Sequence, residues 1–193
     1  MNTSNILSSI RKHVSLSEEE AQFFSSSLLP LQVRQGDMLE KVGEPTKYFI
    51  YVVSGCLMSY YTDREGNDHV MQFAQTDWWT GDLTSYSNNV PSTMSTRALT
   101  ETEVLLLPKP AMDQLLEKVP KMERYFRILF QNALMTNGNR LMQIFSVTAE
   151  ERYLNFQKKY PTLEQYVPLK YVASYLGITP EFLSKIRRKL TQK

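Results

Sequence analysis

The sequence predicts an α+β protein, in which an N-terminal antiparallel β-roll is followed by one long helix and an all-α C-terminal domain. Five of the seven glycines lie between residues 36 and 81, where they separate short stretches rich in β-branched and aromatic residues. Strand-like alternation stops at Pro108-Lys109-Pro110, beyond which helix-forming residues dominate. We therefore divide the chain into a roll with N-terminal helices, a long helix and a helical C-terminal domain: residues 1–120, 121–146 and 147–193.

Short strands separated by turn residues make up the predicted roll. A polar turn at Asp63–Asn67 joins two of these strands into a β-hairpin. Ahead of them, Ser17 begins a capping-box pattern with Glu20, which predicts a short helix before the first strand. The strands named by this pattern are 48–53, 57–62, 69–73, 93–99 and 103–107.

A long helix is predicted from Lys121 to about Phe145, a stretch without proline. Its apolar residues recur at spacings of four, three and four, which gives the helix more than one apolar face. We expect one face to cover the roll and another to pair with the same helix of a second subunit, although burial within a monomer stays open. The residues assigned to this dimer helix are Met122, Phe126, Leu129 and Ala133.

Residues 167–190 carry the pattern of two crossed helices joined by a tight turn. Gly177 can take the left-handed conformation that ends the first helix, and the small Ala173 lets the second helix cross closely. Thr179 is a suitable N-cap, and Pro180 a suitable first residue of the second helix. An alanine, a glycine four residues later and Leu183 six beyond it are typical of a helix-turn-helix.

The second of these helices has an outward face that suits a DNA groove, with Glu181, Ser184, Lys185 and Arg188 at spacings of three, one and three. Residues 151–193 carry nine Lys and Arg against three Glu, a balance of +6, so the first 150 residues sum to −4 within the net +2. A basic end of this kind favours nucleic acid, whereas a helical pair that docks on protein remains the alternative. The residues assigned to DNA binding are Thr179, Glu181, Ser184, Lys185, Arg187, Arg188 and Lys189.

With these elements in order, the chain resembles the Crp/Fnr family of transcription regulators from end to end. The matching segments are Trp79–Leu83, Arg97–Val104, the long helix, Ser146–Arg152 and the helix-turn-helix. The resemblance implies a cyclic-nucleotide-binding-like domain on a cupin-like roll, and a winged-helix-like helix-turn-helix domain. It further implies a bacterial homodimer that binds double-stranded DNA at a palindromic site, and it leaves open a contact with RNA polymerase.

The effector cassette departs from the pattern of cyclic-AMP-binding relatives. These relatives begin the cassette with Gly-Glu-Leu and place an arginine ten residues after the glutamate to neutralise the phosphate. Here the arginine position is Ser92, so a buried phosphate would lack its cation, and we expect no tight cyclic AMP binding. A genuine cyclic-nucleotide-responsive regulator is the alternative, and another small-molecule effector stays open. The residues assigned to the effector pocket are Gly81, Asp82, Leu83, Ser92 and Thr93.

The composition excludes several other classes of protein and of binding site. The single Cys56 cannot form an intramolecular disulfide or a four-cysteine iron–sulfur cluster, and we interpret it as a small buried hydrophobe. A metal-dependent cupin enzyme needs several histidine ligands, and the chain has only His13 and His69, so we expect neither an enzyme, nor a metal site, nor a cofactor. The N-terminus lacks a secretory signal, and apolar runs stay short of the roughly 18 residues of a membrane span, which predicts a cytoplasmic, soluble protein.

Other properties have no signature in the residues. The effector, the target genes, the DNA sequence recognised and the direction of regulation cannot be predicted from this sequence. The short connection between Lys159 and Pro168 leaves little room for the β-hairpin wing that many relatives carry.

Overall fold

The computed structural model describes residues 3–192, and strand and helix boundaries fall near the glycine, proline and capping residues that predict them. The strands are β1 (Leu29–Val33), β2 (Met38–Glu40), β3 (Tyr48–Ser54), β4 (Cys56–Thr62), β5 (Asp68–Gln75), β6 (Trp79–Thr80), β7 (Ser95–Ala98) and β8 (Thr102–Pro108). The helices are α1 (Ser4–Arg11), α2 (Glu18–Ser26), α3 (Leu83–Asn88), α4 (Lys109–Lys118), α5 (Met122–Ser146), α6 (Ala149–Lys159), α7 (Leu169–Leu176) and α8 (Pro180–Thr191), with a 3₁₀ turn at Leu163–Gln165. The α+β prediction is confirmed.

Two four-stranded antiparallel sheets form the roll, in the orders β1-β8-β3-β6 and β2-β7-β4-β5. Side chains alternate across β3 and β8, so each of these strands serves two apolar clusters. Ile50 and Leu106, which are paired in the ladder, belong to the cluster inside the roll. Tyr51 and Leu105, the next pair, belong to the cluster that includes α1, α2, α4 and the start of α5. The roll is therefore covered by helices on one face and closed by its own second sheet on the other.

Gly55 makes the tight turn between β3 and β4. Its φ is +90°, and a Cβ there would lie 2.5 Å from the carbonyl oxygen of Glu101, so a side chain cannot fit without displacing backbone. The adjacent Cys56 is fully buried, and burial raises the pKa of its thiol to about 12. Cys56 is therefore an inert core residue, which agrees with its interpretation as a small hydrophobe.

The start of α5 corrects part of the predicted dimer helix. Met122 is 0% and Phe126 is 3% exposed, and both pack in the helix-covered cluster of the roll. Leu129 is half-buried against the same cluster, whereas Ala133 is exposed. Because the Met122 and Phe126 side chains are buried in the core of one chain, neither can contact a second subunit, and their assignment to a dimer seam is wrong.

The chain forms two compact units that cut across the predicted three-part division. One unit comprises residues 1–59 and 72–132, and the other comprises residues 60–71 and 133–193. The boundary falls inside α5, and the distal half of the β4–β5 hairpin groups with the C-terminal helices. Between Lys109 and Gln192 the described chain contains no strand, so its helix-turn-helix lacks a β-wing. None of the helices within residues 3–192 combines the length and apolar character needed to cross a bilayer.

Candidate nucleic-acid interface and effector cassette

The turn between α7 and α8 has the geometry that the glycine predicts. Gly177 adopts φ 68° and ψ 38°, the left-handed conformation that ends α7. Its N–H and that of Ile178 donate to the carbonyls of Ser174 and Ala173 at 3.1 Å each. Ala173 is fully buried, as the close crossing of two helices requires.

Helix α8 begins at the predicted cap and buries the predicted face. The Thr179 hydroxyl accepts a hydrogen bond from the N–H of Phe182 at 3.2 Å, and Pro180 occupies the first turn. Leu183 is 0% and Ile186 is 6% exposed, which fixes one side of the helix against its neighbours. The opposite side consequently points to solvent.

Four predicted DNA-binding residues share this solvent face. Glu181, Ser184, Lys185 and Arg188 are all exposed and lie at positions one turn apart along α8. Hydrogen bonds from its own N–H and from the Thr179 hydroxyl lower the pKa of Glu181, so this residue is a carboxylate at neutral pH. The two cations make no ion pair with any residue in the described part of the chain. The face thus presents free donors and one fixed acceptor.

Two other predicted residues, Arg187 and Lys189, turn toward α6. The Lys189 ammonium pairs with the Glu150 carboxylate at 2.5 Å, and Arg187 is half-buried beside the Tyr153 hydroxyl. Both cations therefore hold α8 against α6 in this structure. Their role in DNA binding stays a prediction, and it is weaker than that of Lys185 and Arg188.

Sequence reasoning missed two exposed residues beside this face. Phe182 is 48% exposed on the first turn of α8, and Lys170 is exposed at the start of α7. Phe182 carried a signal, because it lies out of phase with the buried positions Leu183 and Ile186. An aromatic side chain at such a position can pack on thymine methyl groups when the helix lies in a major groove.

A half-buried arginine, Arg140, connects α5, α7 and the hairpin within the second compact unit. The Arg140 guanidinium donates to the carbonyls of Val70 and Met71 at 2.8 Å each and to that of Tyr175 at 2.7 Å. It also stacks on the Tyr175 ring, with 4.1 Å to the centroid. Burial lowers the pKa of Arg140, but the free guanidinium value is so high that the side chain stays charged.

Ser174 adds a second connection between α7 and the same hairpin. Its hydroxyl accepts from the N–H of Val70 at 2.9 Å and donates to the carbonyl of Asp68 at 2.6 Å. The side chain therefore acts like one more residue of a β-ladder on the hairpin edge. Neither Arg140 nor Ser174 could be identified from sequence patterns, because their partners are backbone groups distant along the chain.

In the effector cassette, the Asp82 carboxylate is enclosed by hydrogen-bond donors. Asp82 is 5% exposed and caps α3, accepting from the N–H groups of Thr84 and Ser85 at 3.0 and 3.1 Å. Its second oxygen accepts from the Ser92 hydroxyl at 3.0 Å and from the Thr93 N–H and hydroxyl at 3.1 and 3.3 Å. Burial acts to raise the pKa of Asp82, but these hydrogen bonds outweigh it and lower the pKa. The structure thus brings Asp82, Ser92 and Thr93 together, with the Ser92 and Thr93 donors around the negative charge of the Asp82 carboxylate.

A buried polar network lies next to the cassette, and sequence reasoning did not find it. Glu40 is 9% exposed and accepts from the Thr96 hydroxyl at 2.5 Å and from the Asp82 N–H at 3.3 Å. The Ser59 hydroxyl bonds to those of Thr96 and Thr80 at 2.9 and 2.8 Å. Burial raises the pKa of Glu40 despite these hydrogen bonds. The interior of the roll here is filled by its own hydroxyl and carboxyl groups.

Histidine and carboxylate groups do not gather elsewhere into a metal site. Among residues 3–192, no group of three or more His, Cys, Asp and Glu side chains is placed to hold a metal ion. His69 instead pairs with Asp63 at 2.8 Å across the turn of the exposed hairpin.

The β-roll matches a known domain family, and the chain has sequence relatives among known regulators. Residues 30–119 match the family described as the cyclic nucleotide-binding domain. In an alignment 167 residues long that covers 80% of this chain, the sequence is 23% identical to the electron transport regulator A of Shewanella oneidensis. The matches span 61 to 65% of the lengths of the three curated relatives, all of which are named as regulators.

Solved structures share this fold over most of the chain. FixK2 from Bradyrhizobium japonicum superposes with a TM-score of 0.74 at 17% identity, covering 86% of this chain and 85% of that one. The regulator CLP of Xanthomonas campestris, described as responsive to cyclic di-GMP, superposes with a TM-score of 0.73 at 12% identity, covering 91% and 92%. At these identities the likeness establishes the fold.

Proposed function

We propose that this protein is a dimeric DNA-binding transcription regulator of the Crp/Fnr type whose roll does not bind cyclic AMP. The match of residues 30–119 to the cyclic nucleotide-binding domain family and the fold shared with solved regulators support the proposal. The observation that carries the proposal is the exposed face of α8. Its acid and two unpaired cations lie opposite a buried apolar face, on a helix that begins at a capped, glycine-formed turn.

Each residue of this face has a role that its chemistry supports. Lys185 and Arg188 can neutralise phosphates or donate to guanine edges, whereas Glu181 can accept from the amino group of cytosine. Glu181 lies nearest the N-terminus of α8, the end that contacts base edges when such a helix enters a major groove. The proposal therefore assigns specificity mainly to Glu181 and affinity mainly to Arg188.

The test of DNA binding is fluorescence anisotropy with a duplex library across a salt series. The affinity of the wild-type protein for DNA should fall steeply as the salt concentration rises. In the Lys185→Ala/Arg188→Ala double variant, the slope of log K against log salt should be less steep by roughly two. Lys12→Ala, which removes an exposed lysine near α1, is the matched control and should leave the slope unchanged. Binding that is absent, or independent of Lys185 and Arg188, would favour docking of α8 on a protein.

The proposed dimer uses a seam on the exposed part of α5. Large apolar side chains there are unusually open to solvent: Phe130 36%, Leu134 74%, Met135 57%, Leu141 56%, Met142 63%, Ile144 44% and Phe145 79% exposed. Phe130, Leu134, Leu141 and Ile144 follow spacings of four, seven and three, which is the a/d pattern of a coiled coil. Asn137 takes the remaining core position, where a polar side chain lowers the stability of the seam.

Sedimentation equilibrium tests this seam. Leu134→Lys or Leu141→Lys should convert the wild-type dimer to monomer, because each places a charge in the apolar seam. Asn132→Lys adds the same charge on the opposite side of α5 and should stay dimeric. Monomeric wild type, or dimeric Leu134→Lys and Leu141→Lys variants, would remove this seam from the proposal.

The cassette supports the absence of cyclic AMP binding. A cyclic phosphate would need the Ser92 and Thr93 donors, and both already serve the Asp82 carboxylate. The incoming anion would face that buried carboxylate without an arginine to neutralise either charge, which is strongly unfavourable. Calorimetric titration with cyclic AMP and cyclic GMP should accordingly give no heat of binding, whereas micromolar affinity would favour the nucleotide-responsive alternative.

A further inference from the structure

A cavity of about 260 Å³ opens within the second compact unit, between α5, α6 and the end of α7. Small-molecule sites begin at roughly 300 Å³, so this cavity has room only for a compact ligand. Ile144, Phe156 and Leu176 supply apolar wall, and the exposed residues Asn139 and Asn155 add amide groups. None of the residues assigned to the effector cassette or to DNA binding lines this cavity.

The charged side chains of the cavity wall are positive. Arg140, Arg152 and Lys159 line it, and the described residues of the wall include no aspartate or glutamate. Neither Arg140 nor Arg152 pairs with a carboxylate within residues 3–192. Their guanidinium groups donate instead to backbone carbonyls, which are dipoles without a net charge.

The two arginines come from different helices but meet at one place. The Arg140 guanidinium donates to the carbonyl of Tyr175 at 2.7 Å, and the Arg152 Nε–H donates to that of Leu176 at 3.2 Å. Because Tyr175 and Leu176 are consecutive, both guanidinium groups lie at the C-terminal end of α7. The Arg140 Nε–H is also buried without a hydrogen-bond partner in the described chain. Two half-buried like charges and an unpaired donor raise the free energy of the empty cavity, and an anion would lower it.

The end of α7 offsets only part of this positive charge. Basic side chains commonly donate to the last carbonyls of a helix, where the helix dipole places about −0.5 of an elementary charge. Arg140, Arg152 and Lys159 together carry three positive charges. An excess of more than two positive charges therefore remains, which favours a ligand with two negative charges over a monoanion.

We propose that this cavity binds a compact organic dianion, with its anionic oxygens at the Arg140 and Arg152 guanidinium groups. Its carbon body packs against Ile144 and Phe156. Guanidinium groups bind phosphate and carboxylate oxygens in the same paired manner, so a phosphate monoester and a dicarboxylate share the required chemistry. The site goes beyond the proposed function, because it supplies an effector position outside the closed cassette. It lies against the residues that precede the Gly177 turn into α8.

The test is calorimetric titration of the full chain with glycerol phosphate and with succinate, using glycerol as the uncharged probe. The wild-type protein should bind at least one of the two dianions, with an affinity that falls as the salt concentration rises. Asn139→Asp adds a carboxylate to the wall at an exposed position without changing side-chain size, and should weaken binding by about tenfold or more. Asn132→Asp makes the same change about two turns earlier on α5, outside the wall, and should bind like wild type.

A second pair of variants removes a cation instead of adding an acid. Lys159→Gln should weaken dianion binding about three- to tenfold, as expected for one charge-assisted contact. Lys158→Gln, at the neighbouring exposed lysine outside the wall, should leave the affinity unchanged. All four substitutions lie at exposed positions, and thermal melts show whether each variant is folded.

The outcomes separate this site from its alternatives. Binding of either dianion that is weakened in Asn139→Asp and Lys159→Gln supports the site, and the dianion that binds identifies the source of the charge. Failure of both dianions to bind wild type, or equal binding by wild type and these two variants, would overturn it. Glycerol binding as tightly as the dianions would overturn the assignment of charge. Loss of DNA affinity in Asn139→Asp, with no dianion bound by wild type, would overturn the site in favour of a DNA phosphate. The titrations contain no DNA, so failure of the proposed DNA binding would leave their result standing.

Discussion

Helix α8 and the effector cassette both present polar side chains at the start of a capped helix, yet their donors are in opposite states. On α8, Lys185 and Arg188 project into solvent with no ion pair in the described chain. In the cassette, the donors of Ser92 and Thr93 converge on the buried Asp82 carboxylate of the same chain. The first region can bind an external partner at little cost, whereas the second must first give up its internal bonds.

This difference shows that a motif indicates a binding function only when its hydrogen-bonding groups remain available to an external partner. The cassette keeps the glycine, the acid and the hydroxyl residues that its relatives lead one to expect, but these groups satisfy one another. On the α8 face, Glu181 accepts from the Thr179 hydroxyl and Ser184 donates to the Pro180 carbonyl, but the Lys185 and Arg188 cations have no ion pair in the described chain. Four experiments test this difference between the α8 face and the cassette.

Removing the internal anion should produce the largest effect. Asp82→Ala deletes the N-cap of α3 and removes the buried carboxylate on which five hydrogen-bond donors converge, which should reduce the free energy of unfolding by about 2–4 kcal/mol in urea denaturation. Asp113→Ala removes an exposed carboxylate that pairs with Lys109 and should cost less than about 1 kcal/mol. Equal effects would mean that the cassette is not closed by Asp82.

Two arginines give the next comparison. Arg140→Met removes three charge-assisted bonds to backbone carbonyls and should cost about 2–3 kcal/mol of unfolding free energy. Arg188→Ala removes an exposed cation and should change the same quantity by less than about 0.5 kcal/mol. A stability loss for Arg188→Ala like that for Arg140→Met would show that the α8 face is structural.

Within α8, affinity and specificity should separate. Arg188→Ala should weaken binding to all duplexes and lower the salt slope by about one, whereas Glu181→Ala should relax preference at one base pair by roughly 1–3 kcal/mol. Anisotropy against a set of single-base variants measures both effects. Identical behaviour of the two variants would contradict their assigned roles.

The smallest expected effect concerns pH. The pKa of Glu40 is raised above its ordinary value of 4.5 in the folded state, mainly by burial and in part by the nearby Asp82 charge. Its contribution to stability is therefore fully present below the unfolded pKa and is lost as pH rises through the folded pKa. Relative to wild type, Glu40→Gln should become more stable as pH rises from 4 to 8 in urea titrations, whereas Asn132→Gln, which changes no ionisable group at an exposed position, should show no such trend.

Local signals predicted much of the fold and of the α8 face. The capping box between Ser17 and Glu20, the left-handed Gly177 and the Thr179 cap each depend on residues at most four positions apart. Such interactions are specified by neighbouring residues, so they can be read before the tertiary structure is known. The exposed position of Arg188 followed from the same helical periodicity.

The contacts that could not be predicted are those in which a side chain packs against one of several equivalent partners. Helix α5 has apolar residues on more than one face, and periodicity alone did not show that Met122 and Phe126 enter the core while Leu134 and Leu141 stay open. The closure of Asp82 by Ser92 and Thr93 likewise requires the chain to fold back after α3, over ten residues from Asp82 to Ser92. Arg140 binds carbonyl groups, which leave no mark in the sequence.

The most direct test of the proposal is selection of bound sequences from a random DNA pool by the full chain. A DNA-reading α8 on a two-fold symmetric dimer predicts enrichment of an inverted repeat, with half-sites about one helical turn apart. The Glu181→Ala variant should enrich the same repeat with one pair per half-site relaxed. Enrichment of no sequence, or of a motif without two-fold symmetry, would contradict the account.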